Sequence, residues 1–400
     1  MKNKFTLTIL VVILGAVLMT GCGGNSALSN ASSWPGLTEA DGVVYTANAY
    51  TVEAVRGGER LWFYPNDPEE KARELFFANP VIDSGLVYAG SYSNRVYVLD
   101  AETGSFEGKI TLPDDKHKLI APVVVTDALV LIPSSDSTLY AYRKGEYGQP
   151  IWKTALTNEL WQAPTVLDGT VYAVTLDKKI HTINLADGKL IRSVGTDGAI
   201  MDGFTASGGR LYFSTFGRKV EILDPATGEI KTLLNAESEF WAAPLVIGEA
   251  LIAVDLQGTI YARSLDGAEL WTRTKAFGES ARVIARPVAL PNDRILMISA
   301  AGDMKIYDLE GRSEDERSIN ATVQTAPVSD GDTIVVALVG GDALLKAYTP
   351  DLKEDWVYVG TVDAKTEATR AAAAENLQIQ FRQYNLIIIC IRIYLNGLKN

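Results

Sequence analysis

The chain has 400 residues, with 49 acidic against 37 basic side chains and a formal net charge of −12 at an isoelectric point near 4.9. That balance argues against a nucleic-acid binder, whose phosphate-facing surface has to be basic. Its only cysteines are Cys22 and Cys390, so the fold must be held by packing and not by disulfides.

The first element is residues 1–21. Lys2 and Lys4 form a positive start, Phe5 to Leu18 an apolar stretch too short for an ordinary spanning helix, and Met19-Thr20-Gly21-Cys22 a small-residue cleavage site. The arrangement resembles a bacterial lipoprotein signal, although Met19 stands where Leu is usual. That resemblance implies acylation of the Cys22 sulfur and a mature chain that begins there. Residues 22–36 then read as the lipidated cysteine and a flexible tether, rich in Gly, Ser and Asn.

From residue 37 to residue 360 one short pattern recurs eight times. Its anchors are Leu37, Pro80, Pro122, Pro164, Phe204, Pro244, Pro287 and Pro327, spaced 40 to 43 residues apart. After each anchor come an apolar run, a turn usually containing Gly, two strands rich in β-branched and aromatic residues, and an Asp-to-Gly turn before a fourth strand. In the second repeat these are Val81-Ile82-Asp83, Leu86 to Gly90 and Val96 to Asp100, with Ala101 to Gly104 as the last turn. Units of this length with four strands are propeller blades. The fold class is therefore all-β, an eight-bladed propeller of four-stranded antiparallel blades, read as one monomeric ring. The seven tryptophans keep the register. Trp62, Trp152, Trp271 and Trp356 fall at repeat ends; Trp34, Trp161 and Trp241 stand three residues before an anchor.

Residues 361–400 break the pattern and read as a disordered or aberrant C-terminal tail. Within it, Thr366 to Leu377 predicts a short helix, and LIIICIRIYL, Leu386 to Leu395, an apolar run too short to span a bilayer as a helix. No function is assigned to it.

The blade endings Leu99-Asp100-Ala101-Glu102-Thr103-Gly104, Leu223 to Glu229 and Asp266 to Trp271 resemble the pyrroloquinoline-quinone (PQQ) repeat, over roughly residues 37 to 358. The resemblance implies the eight-fold blade architecture, in which Trp and Gly-turn residues lock neighbours together. It does not by itself imply the quinone. PQQ-dependent dehydrogenases of that family hold PQQ with calcium on Glu, Asn and Asp oxygens and use an Asp as base. This chain has no cysteine pair in its blades and no insertions to roof a cofactor, so the expectation is a propeller without PQQ, calcium or another metal, and without catalytic residues. His117 and His181 lie in different blades, and His181 reads as a blade-face residue. Ser134 to Ser137 and Gly340-Gly341-Asp342 read as hairpin turns.

Three residues before the anchors stand Trp34, Phe77, Leu119, Trp161, Met201, Trp241, Ile284 and Gln324. Eight-fold symmetry would gather them near one mouth. The aromatic members Trp34, Phe77, Trp161 and Trp241 are the candidate rim residues for a peptide strand, a sugar or a cofactor ring; the alternative is packing between blades. Size, lipid signal and compact blades are most similar to the B-component lipoproteins of the outer-membrane β-barrel assembly machinery. That resemblance implies a non-enzymatic scaffold outside the cytoplasm, anchored to a membrane by lipid and docked on an envelope protein partner. A PQQ-dependent oxidoreductase and a carbohydrate-binding surface lipoprotein are the competing readings.

Overall fold

A computed structural model describes residues 35–66, 74–113, 116–273, 275–278, 282–339 and 343–360. The signal and most of the tether, with Cys22 and Trp34, lie outside the described residues. So do the Gly340 to Asp342 turn and the tail from residue 361. Within the described part, 32 strands fall in chain order into eight four-stranded antiparallel sheets, each made of four consecutive strands. The blades span residues 36–64, 81–111, 124–155, 165–195, 205–235, 245–273, 288–318 and 328–358. The chain is thus the all-β, eight-bladed propeller that the repeat implied.

Local chemistry explains each sheet. In blade 4 the first hairpin turns at Asp168-Gly169, both with positive φ (48° and 73°), which is the two-residue geometry that suits the right-handed twist of paired strands. The turn sets the register Thr165 to Tyr172 and Val166 to Val171. The second and third strands that follow are apolar on both faces and buried: in blade 2, Val87 to Ser91 and Val96 to Leu99 are all inaccessible. Fourth strands are the exposed outer edges. That of blade 7, Ser313–Ser318, reads SEDERS and carries the charge that discourages strand-to-strand association.

A sheet buried on both faces needs two neighbours, and the apolar core is divided accordingly. Eight clusters occupy the eight blade junctions. One of them joins Val335, Ala337, Leu345 and Ala347 of blade 8 to Leu37, Val44 and Val55 of blade 1, which closes the ring. Among the described residues no strand is shared between the first and last blades, so closure there rests on side chains. Tyr358 Oη donates to Glu53 Oε2 at 2.5 Å, and Thr325 Oγ1 donates to the Pro35 carbonyl at 2.6 Å. The first strands of neighbouring blades approach each other around the axis, blade 8 to blade 1 included.

The repeat-end tryptophans dock across junctions. Trp62 of blade 1 donates its indole N–H to the Ala101 carbonyl in blade 2 at 2.9 Å, Trp152 of blade 3 to Leu185 in blade 4 at 3.0 Å, and Trp271 of blade 6 to Leu309 in blade 7 at 2.6 Å. Each ring lies flat on the turn glycine of the next blade. A Cβ on Gly104, Gly188 or Gly311 would stand 2.6 or 2.7 Å from the indole, so a side chain at these positions would push the ring out. Trp356 of blade 8 stands against Gly58 of blade 1 more loosely, its Cβ and Cε3 3.3 and 3.5 Å from where a Cβ on that glycine would sit.

Candidate functional site

The residues that precede each anchor are placed by a repeated backbone stitch. The carbonyl five residues before the anchor, or four in blade 3, accepts from the N–H of the turn between the second and third strands of the blade it leads into. The acceptors Leu75, Lys118, Glu159, Ala199, Glu239, Arg282 and Thr322 take Tyr92, Ser135, Leu176, Phe216, Leu256, Ala300 and Val339, at 2.7 to 3.3 Å. The next residues in several loops reach back: Leu160 N donates to Ser134 O and Phe240 N to Thr215 O, both at 3.4 Å. Each of these seven loops is thereby held at the same end of the propeller, on the hairpin turn of the blade it leads into. The described residues three before the anchors, Phe77 to Gln324, lie at that mouth.

They do not share one environment. Phe77 is buried and packs on Tyr92 with ring centroids 4.7 Å apart; burial pushes the Tyr92 phenol up to about 12. Leu119 and Met201 are buried as well. Trp161 and Trp241 are partly exposed, together with Ile284 and Gln324. Trp161 donates its Nε1–H to Glu159 Oε2 at 2.7 Å, and Trp241 meets Phe216 edge to face at 5.8 Å. Trp161 and Trp241 are thus two partly exposed indoles at this mouth, each oriented by its own neighbour. Trp34 lies outside the described residues.

Between these loops runs a contact that sequence reasoning missed. Arg286, in the loop before blade 7, donates from Nε to Asp202 Oδ2 at 2.6 Å and from Nη2 to the Asp202 carbonyl; Asp202 precedes blade 5. The same carboxylate accepts the N–H of Ala243, before blade 6, at 2.9 Å. One ion pair thus ties three successive loops beside Trp241. Its partners are 84 residues apart, beyond any local pattern. A signal was nonetheless present: Arg286 is the only charged residue among those directly before an anchor, where Asn79, Ala121, Ala163, Gly203, Ala243 and Ala326 stand elsewhere.

His181 and the Ser134 to Ser137 turn lie within the blades. His181 is buried on its blade face, with Nδ1 2.8 Å from Ser193 Oγ and Nε2 2.9 Å from Thr175 Oγ1. Burial holds its pKa below the ordinary value. Ser134 to Ser137 forms the turn between the second and third strands of blade 3. A calcium-held quinone would need several carboxylate and amide oxygens converging at the axis. Among the described residues no three His, Cys, Asp or Glu side chains stand together so as to hold a metal ion, and the mouth carboxylates of Asp202 and Glu159 are engaged by Arg286 and Trp161.

A family model described as outer membrane protein assembly factor BamB matches residues 31–146, 114–198 and 192–341. The chain is similar to outer membrane protein assembly factor BamB of Nitrosomonas eutropha, 24% identical over 211 residues that cover 48% of this chain and 50% of that protein. It is similar to the same factor of Yersinia pestis, 21% identical over 285 residues, 66% of each chain. These alignments span between half and two thirds of the relatives' length. The crystal structure of BamB from Moraxella catarrhalis superposes with a TM-score of 0.64 at 17% identity, covering 76% of this chain and 92% of that one. At that identity the superposition establishes shared fold alone.

Proposed function

Because this chain belongs to the outer membrane protein assembly factor BamB family, we propose that it is a non-enzymatic binding scaffold, lipid-anchored outside the cytoplasm, that serves the assembly of envelope proteins. The observation that carries the reading is the family match through residues 31–341, which takes in seven of the eight blades whole and the mouth with Trp161 and Trp241. A rigid ring suits a scaffold. Its loops are pinned by backbone stitches to the hairpin turns beside them, so the mouth is preorganised and loses little freedom when a partner docks. Half-exposed tryptophans are the residue type that most often anchors such contacts. Lipid on Cys22 would tether the ring to a membrane by way of the glycine- and serine-rich segment that follows.

The test separates anchor from docking surface. Cys22→Ser is expected to move the protein from the membrane to the soluble fraction with its melting midpoint unchanged. Trp161→Ala with Trp241→Ala is expected to leave it on the membrane, folded, while reducing the amount of barrel-assembly partner isolated with it. Continued membrane association of the Cys22 variant would refute the anchor. Undiminished partner recovery from the double variant would refute the mouth as docking surface.

A further inference from the structure

The blade junctions differ in how their outer ends are closed. Four are closed by the tryptophans described above. Blade 4 places Arg192 at the register position of Trp152 and Trp271; its guanidinium covers Gly228 and donates to the Ala226 carbonyl at 2.9 Å, copying the indole bond. At the junction of blades 7 and 8, Arg317 donates to the Leu352 carbonyl at 2.9 Å. At that of blades 2 and 3, the Tyr147 ring folds onto Gly108.

The junction of blades 5 and 6 has no such plug. Its register position is held by Lys231, opposite Ile222, and the lysine is exposed. Leu233 covers Gly267, and beside it a cavity of about 290 Å³ remains, walled by the apolar Ile222, Leu233 and Leu265 and by the charged Arg210, Asp224, Glu229, Lys231 and Asp266. Leu265 stands two residues before its turn glycine, as Ala226 and Leu309 do, and among the described residues its carbonyl receives no donor.

We propose that this cavity is a binding site for an indole ring, whose N–H donates to the Leu265 carbonyl while its faces rest on Ile222 and Leu233. The chain's own tryptophans demonstrate the chemistry at three other junctions, where the same ring meets the same kind of carbonyl. The volume of about 290 Å³ is large enough for a two-ring system, with the three apolar side chains to meet its faces and the charged rim left in water. The inference does not depend on the function proposed above. The ring could arrive free or as a tryptophan side chain of another polypeptide.

Calorimetric titration of the full chain with 3-methylindole and with N-acetyl-L-tryptophanamide tests the site. Saturable binding of 3-methylindole is expected, with affinity lowered about tenfold or more in Lys231→Trp, whose own ring would fill the space. Binding of both probes points to a tryptophan side chain as the natural occupant; binding of 3-methylindole alone points to a free ring. Absence of saturable binding by either probe, or equal affinity in Lys231→Trp, overturns the proposal. Crystallisation of the wild-type protein with 5-bromoindole keeps the question decidable if that variant fails to fold. A bromine peak between Ile222 and Leu265 supports the site, and no peak there overturns it.

Discussion

At the scale of single residues, the polar groups inside the blades follow the pH of the medium in opposite senses. His181 is held below its ordinary pKa by burial, so the folded state binds its proton less readily than the unfolded chain, which titrates near 6.5. Its contribution to stability is present above that value and is lost as pH falls toward the folded pKa. Glu221 and Asp255 are raised by burial; their folded forms hold the proton, so their contribution is present at low pH and fades as pH rises from the ordinary carboxylate range through the raised values. His181→Gln should therefore cost stability at neutral pH and cost less near pH 5, measured as the difference in urea midpoint from wild type. A difference independent of pH would mean that His181 is not kept neutral in the fold. Its place on a blade face was legible from the alternation Ile180-His181-Thr182, but the surrounding hydroxyls Thr175 and Ser193 come from other strands and were not.

At the scale of elements, the lock between blades is the indole on a glycine. Trp152→Ala should cost about 3–5 kcal/mol, since it removes a buried aromatic and leaves a cavity at a junction. Gly188→Ala should also destabilise, because φ is +71° and the new Cβ would meet the Trp152 ring at 2.6 Å. Equilibrium urea unfolding checks both, and a near-neutral Gly188→Ala would contradict the docking geometry. Anchors, turns and strand order were all readable from the repeat, because a period of 40 to 43 residues is imposed by four strands and their turns. Which glycine each tryptophan covers was not. Trp62 follows Gly58 in sequence yet lies on Gly104, since the lock crosses to the next blade. The substitution of Arg192 for a tryptophan was equally hidden, for it depends on a guanidinium copying the bond of an indole N–H.

At the scale of the whole molecule, closure is the step that turns eight marginal sheets into one stable body. Tyr358 and Glu53 meet across it, and Glu53 is buried. Tyr358→Phe would leave that carboxylate oxygen without its donor and should cost about 1–3 kcal/mol. A loss in urea midpoint larger than that of a Tyr→Phe change at exposed Tyr50 is the expected result; equal losses would show that closure rests on the apolar cluster alone. The ring's existence was legible in the sequence, whereas the Asp202 to Arg286 tie across its mouth was not, because it skips a blade. The family match carries the scaffold reading, and the mouth with its pinned loops and two partly exposed tryptophans is where that reading puts the partner. The direct test is photo-crosslinking in cells with p-benzoylphenylalanine at positions 161 and 241 and, as a control, at position 313 on an outer edge. The account predicts an adduct with a component of the barrel-assembly machinery from the mouth positions and none from position 313. Adducts from the outer edge alone, or none from the mouth, would contradict it.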